Sequence, residues 1–207
     1  MPVDRFISPE NVMRHRFTSY PRPNWEAVVI CFRDFKGSRL VVQRFDAQPV
    51  GYKVLYGLEE FEGVPLVFQS QVDGKRVGIV TRCNWGAPQA AILVEELAAL
   101  GVRRIIGCGA CGSLDPRLPR GTQAIAREGL CTDGTSRAYT DAATVPSSTP
   151  LLHAAHGVAK RLGIEVDEVC VATADALYRE TPAHVMRWRE AGADAVNMET
   201  SGASIKS

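Results

Sequence analysis

Residues 80–114 read VTRCNWGAPQAAILVEELAALGVRRIIGCGACGSL, and residues 121–139 read GTQAIAREGLCTDGTSRAY. A strand ending at Arg82-Cys83 enters a turn, Asn84-Trp85-Gly86, and a helix follows over Pro88 to Leu100. Proline suits a first helical turn, where its missing N–H would go unpaired anyway, and Gly101 suits the left-handed residue past the last turn. Ala91, Val94, Leu97, Ala98 and Leu100 make an apolar stripe at helical spacing, which turns Glu95 and Glu96 toward solvent. A second strand, Val102 to Ile106, runs into Gly107-Cys108-Gly109-Ala110-Cys111-Gly112. Small residues at the carboxyl end of a strand let a ligand approach the backbone closely, so this loop is the expected floor of a small-molecule site.

Outward from that stretch, Ala27 to Phe32 is a short apolar run of the kind a buried strand shows. Arg39 to Arg44 and Lys53 to Leu58 are weaker strand candidates. Pro65 to Gln71 and Lys75 to Arg82 flank Asp73-Gly74, a hairpin signal, because both residues tolerate positive φ. Residues 1–24 carry four prolines and read as an irregular extension, lying on the surface or reaching a neighbouring subunit. Downstream, Thr122 to Leu130 reads as a strand and Cys131 to Tyr139 as a polar loop. Thr149-Pro150 starts a helix with Leu151, Leu152, Ala155, Val158, Ala159 and Leu162 on its apolar face, and Gly163 ends it. Val166 to Thr173 is a strand. Thr181-Pro182 opens a helix that Gly192 stops, and Ala193 to Met198 is a last short strand before another helix begins. Strands and helices alternate in the second half, which argues a single layered α/β domain over 1–207, and the hairpin makes its sheet mixed.

Composition narrows the function classes. The chain has 207 residues, 45% hydrophobic and 23% charged, with net charge +1. That balance offers no basic nucleic-acid surface. No apolar run reaches membrane-spanning length and the N-terminus lacks signal-peptide character, so a cytoplasmic protein is expected. Six scattered cysteines fit reduced thiols better than a disulfide framework. Gly107 to Gly112 matches G-x-G-x-x-G, but Pro116 and Pro119 prevent the helix that a dinucleotide site needs. Cys108-x-x-Cys111 lacks a second ligand pair for zinc, and His153 and His156 lack a third ligand and a carboxylate, so no metal is expected. Asp133, Ser136 and Arg137 read as a turn or a polar site. Glu199 reads either as a ligand-binding carboxylate or as one facing a helix dipole.

Four segments taken together resemble the nucleoside phosphorylase family of purine nucleoside phosphorylases, uridine phosphorylases and related nucleosidases. They are GAPQAAILVEELAALGVRRII followed by CGACGSLDP, CTDGTSRAY, ADALYRET and NMET, in that order between Val80 and Thr200. The resemblance implies a three-layer αβα sandwich around a mixed, partly barrel-like central sheet. It implies cleavage of a nucleoside's N-glycosidic bond with phosphate or water as nucleophile, no cofactor beyond phosphate as co-substrate, and a homo-oligomer, dimer to hexamer. It places Met198 and Glu199 at the ribose, and Cys111, Gly112, Leu177 and Tyr178 at the base. It also implies departures. Gly107 and Ala110 stand where phosphorylases carry a phosphate-gripping Arg and a Ser or Thr. The usual Gly-Asp-Pro phosphate loop is replaced by a stretch containing Arg33 and Lys36, and Asn84 and Gln89 replace a Gly and a Ser. The family's later Ser-Asp segment, last strand and terminal helix have no counterpart, so no catalytic general acid is assigned. These losses keep two other readings open: a nucleosidase using water, and a non-catalytic nucleoside-binding or partner subunit.

Overall fold

The computed structural model describes residues 6–58, 64–83 and 86–204. The expected turn residues Asn84 and Trp85 lie outside them. The chain forms two compact units, the first from Met1–Asn84 with Gln89–Gly109 and the second from Trp85–Pro88 with Ala110–Lys206. Each holds one five-stranded mixed sheet, where the sequence reading expects a single central one; the expected hairpin lies in the first.

In the first unit β1 (Ala27–Phe32) lies between β4 (Lys75–Val80) and β5 (Ile105–Gly109), parallel to both. β3 (Val67–Val72) pairs antiparallel with β4, and β2 (Gln48–Pro49) is the edge. The hairpin closes as the sequence predicts. Val72 faces Lys75, and Asp73 and Gly74 both take positive φ (49° and 77°), which matches the right-handed twist of the strands. Three expectations change. Residues 1–24 are not irregular throughout: α1 (Pro9–Arg16) starts at Ser8, whose side chain accepts from Asn11 N–H, and buries Met13. Arg39–Arg44 is not a strand but the end of α2 (Phe35–Arg44), started by Asp34, whose carboxylate accepts from Gly37 N–H at 2.7 Å. Lys53–Leu58 forms no strand; its turn meets α3 (Gly86–Ala99).

That last contact corrects the reading of α3. Ala98 is exposed, whereas Glu96 is buried, its Oε1 accepting from Tyr56 N–H (2.9 Å) and its Oε2 from Gly57 N–H (3.1 Å). Burial pushes this carboxyl's pKa up, and the two N–H donors pull it back. Around it Leu55, Leu93 and Leu97 join Val28, Ile30, Val80 and Trp25 in the largest apolar cluster of the chain's described residues.

In the second unit β7 (Ala124–Leu130), β9 (Asp167–Thr173) and β10 (Ala195–Asn197) run parallel, in that order. β8 (Thr144–Pro146) and β6 (Gly112–Ser113) flank them antiparallel. Cys131–Tyr139 is only partly loop: Asp133 caps a short α4 (Gly134–Tyr139). α5 (Thr149–Leu162) ends at Gly163 with φ 66°, as expected, but of its apolar face only Ala159 is buried and Leu162 is 66% exposed. α6 (Pro182–Glu190) starts at Thr181, and α7 (Thr200–Ser204) is the helix foreseen at the end. Among the described residues no helix is long and apolar enough to cross a membrane.

Candidate functional site

β7, β9 and β10 are parallel, so Leu130, Thr173 and Asn197 end at one edge of the second sheet, where ligands of α/β sheets bind. β6 pairs Gly112 with Val196, next to that edge, and a Cβ on Gly112 would lie 3.3 Å from Val196 Cγ1. Four expected base residues therefore sit in segments at this edge: Cys111 and Gly112, both exposed, and Leu177 and Tyr178 on a single 3₁₀ turn, 55% and 97% exposed. Met198 and Glu199 follow β10 directly. Ala110 precedes β6 in the same unit, while Gly107 belongs to β5 of the first.

Glu199 does not serve as the cap of α7. Asn197 fills that role: its Oδ1 accepts from Glu199 N–H (3.2 Å) and Thr200 N–H (3.1 Å), and its Nδ2 donates to Thr200 Oγ1 (2.8 Å). The Glu199 carboxylate turns back instead, accepting from Met198 N–H at 3.3 Å and from the Gly86 N–H. It is half-buried and has no cationic partner among the described residues, and burial pushes its pKa up. Gly86 is needed there: its φ of 74° is left-handed, and it brings its N–H to the carboxylate.

Next to Glu199 in the chain, Ser201 joins a buried polar network with Asp133 and Ser136, which the sequence allows as a turn or a polar site. Asp133 Oδ1 accepts from Ser136 N–H at 2.8 Å and its Oδ2 from the Ser201 hydroxyl at 2.7 Å. Ser136 donates to Ser201 Oγ at 2.7 Å, and Ser201 N–H donates to Thr173 Oγ1 at 2.9 Å. All four residues are buried. The network ties the loop after β7 to β9 and α7, and so fixes the backbone that carries Glu199. A Cβ on Gly129 would lie 2.9 Å from the Ser201 backbone, so β7 and α7 approach too closely for a side chain there. Ser201 lies 68 residues from Asp133, and no local pattern exposes that pairing. Arg137, grouped with these residues in the sequence, makes none of these bonds and lines a cavity. Asp175 accepts from Gly134 N–H at 2.8 Å and holds the loop after β9 against α4.

In the first unit the carboxyl ends of β1 and β4 carry arginines. Arg33 is exposed and its Nη1 donates to Gly109 O at 3.5 Å. Arg82 has φ 60°, and its guanidinium lies 5.9 Å above the Phe35 ring. Lys36 is exposed in the first turn of α2. Gly107 pairs with Ile30, and a Cβ there would sit 3.1 Å from Phe32 Cε2, so a larger residue requires that ring to move.

The remaining candidates separate. Cys108 is half-buried and Cys111 exposed, and neither is in a disulfide. His153 is exposed, whereas His156 Nε2 meets Glu168 Oε1 of β9 at 2.6 Å, a carboxylate partner that the sequence reading did not foresee. No cluster of three His, Cys, Asp or Glu placed to hold a metal occurs among the described residues.

The sequence model of the phosphorylase superfamily matches residues 52–205. A guanosine phosphorylase from Halorubrum lacusprofundi is 32% identical over 118 residues, 56% of this chain and 48% of the relative. The chain spans about half the length of the first curated relatives it matches. Among solved structures, purine nucleoside phosphorylase from Toxoplasma gondii in complex with immucillin-H superposes with TM-score 0.72 at 25% identity, over 86% of this chain and 69% of that one. AMP nucleosidase from Bacteroides thetaiotaomicron shares the fold, with TM-score 0.74 at 17% identity, over 96% and 83% of the two chains.

Proposed function

Because the chain belongs to the phosphorylase superfamily, we propose that it cleaves the N-glycosidic bond of a purine or pyrimidine nucleoside, with phosphate as nucleophile. In this reading a phosphate oxygen bonds to the ribose anomeric carbon as the bond from that carbon to the base nitrogen breaks. The bonding pair leaves with the base, which then takes up a proton. The transition state has oxocarbenium character, so catalysis lies in holding the ribose and placing the nucleophile. The protein would then be a pentosyltransferase of nucleotide salvage, working in the cytoplasm as a homo-oligomer.

One observation carries the reading: Glu199 is a half-buried carboxylate without a cationic partner among the described residues, held by two backbone N–H groups at the sheet edge. Two hydrogen bonds leave acceptor capacity on its oxygens, which suits the two ribose hydroxyls. Met198 would contact the ribose with it, and Cys111, Gly112, Leu177 and Tyr178 would contact the base. Arg33 would grip phosphate in place of the side chains that Gly107 and Ala110 lack.

The close approach of Gly107 to Phe32 favours a second reading, hydrolysis, since it leaves no room for an arginine without rearrangement. Base release from a nucleoside panel, with and without phosphate, tests both. Release that requires phosphate supports phosphorolysis, and release indifferent to it supports hydrolysis. No release from folded protein under either condition would overturn both in favour of a non-catalytic nucleoside-binding subunit.

A further inference from the structure

A cavity of about 580 Å³ opens in the second unit between the loops after β7 and β9 and the inner face of α6. Its volume is in the range of small-molecule sites. None of the ribose, base or phosphate positions named above lines it. Three arginines do: Arg137 from α4, Arg179 from the 3₁₀ turn and Arg187 from α6. None of their guanidinium groups makes a hydrogen bond or ion pair among the described residues, although the cavity also holds Asp175 and Glu180. Asp175 is already engaged with Gly134 N–H, so three cations outnumber the carboxylates that could answer them.

The other wall is flat and apolar. Trp188 is buried and lines the cavity, and His184 stacks on it at 5.8 Å with an interplanar angle of 18°. The Arg179 carbonyl can only accept, so His184 Nδ1 donates to it at 2.8 Å, which leaves Nε2 for another partner. Leu130 and Ala174 complete this side.

We propose that this cavity binds an organic phosphate monoester, its phosphate on the three guanidinium groups and its flat apolar body against the His184–Trp188 wall. A guanidinium's planar fork matches the oxygens of a phosphate, and a monoester carries about −1.5 to −2 charge near neutral pH. The cavity shares no lining residue with the site proposed at Glu199, and the proposal stands whether or not the chain cleaves nucleosides.

Isothermal titration of the full chain with phenyl phosphate, which has no ribose, tests it. Saturable binding is expected, falling at least tenfold in Arg179→Ala/Arg187→Ala and in Arg137→Ala. All three side chains are exposed, and circular dichroism checks that the variants fold. Arg33→Ala and Glu199→Ala should leave the affinity within twofold. Absence of heat, loss on Arg33→Ala instead, or equal affinity for inorganic phosphate or benzoate would each overturn the proposal.

Discussion

The two sheets end in different chemistry at equivalent positions. β7, β9 and β10 are followed within three residues by Asp133, Asp175 and Glu199, whereas β1 and β4 are followed by Arg33 and Arg82. Position alone does not assign the roles, because surroundings differ. Asp133 and Asp175 are engaged by groups of their own unit, the first by a serine hydroxyl and an N–H, the second by an N–H. Among the described residues Glu199 is held by backbone N–H groups alone. Arg82 stacks on Phe35, while Arg33 meets one carbonyl at long range. Arg33 is held more loosely than Arg82, and Glu199 is half-buried with acceptor capacity left beside its two N–H donors; these two are the proposed contacts for phosphate and ribose.

Asp133→Ala gives the hardest test of this division. It strands the buried Ser201 hydroxyl and the Ser136 N–H, and the loss of two hydrogen bonds to a charged acceptor should cost about 3–5 kcal/mol in denaturant unfolding. A variant of unchanged stability that loses nucleoside binding would make Asp133 a site residue and collapse the distinction between the carboxylates. Glu199→Ala comes next. Removing a charge-assisted acceptor should weaken ribonucleoside binding by about 1.5–3 kcal/mol, with far less effect on a 2′,3′-dideoxy analogue. Equal losses for both ligands would remove the ribose role.

The phosphate side should respond more weakly, because Arg33 is exposed. Arg33→Ala is expected to raise the KM for phosphate roughly tenfold and to leave nucleoside affinity unchanged, as for the loss of one charge-assisted contact. Gly107→Arg with Ala110→Ser should tighten phosphate only if Phe32 gives way at its 3.1 Å contact, so adding Phe32→Leu should enlarge the gain. A phosphate response untouched by any of these changes would break the assignment of the arginine end.

The same contrast explains what could be read in the sequence. Local chemistry was legible. Asp73-Gly74 closes its hairpin, Ala27–Phe32 is β1 to the residue, and Gly101 and Gly163 end their helices at positive φ. Short segments with two compatible patterns were not. Arg39–Arg44 holds Leu-Val-Val, which suits a strand, and only Asp34 upstream marks a helix start. Ser8-Pro9-Glu10 starts α1, yet the density of prolines around it hides the signal. Long-range polar partners were invisible. Glu96 is buried because two N–H groups about 40 residues away need an acceptor, and Asp133 because of Ser201. For the candidate site, resemblance singled out Glu199, but which groups hold it and which cap α7 emerged only from the fold.

The smallest effect discriminates best between a carboxylate kept for a ligand and a structural one. Burial pushes the Glu199 pKa above its ordinary value of 4.5, so its neutral form is the one the fold prefers. That contribution is fully present below the ordinary value and is lost as pH rises through the raised one. Glu199→Gln keeps an acceptor for Met198 N–H without the charge. Its stability advantage over the parent, read from melts across pH, should therefore be absent near pH 4, grow as pH rises and then level off, at under about 1 kcal/mol once solvent screening of a half-exposed group is allowed for. Glu96, whose pKa is raised for the same reason, is present in both proteins and cancels in the difference. A gap that instead moves against the variant as pH rises would mean that the ionised carboxylate is favoured by a cation, and Glu199 would then join Asp133 and Asp175 as a group that the fold itself engages.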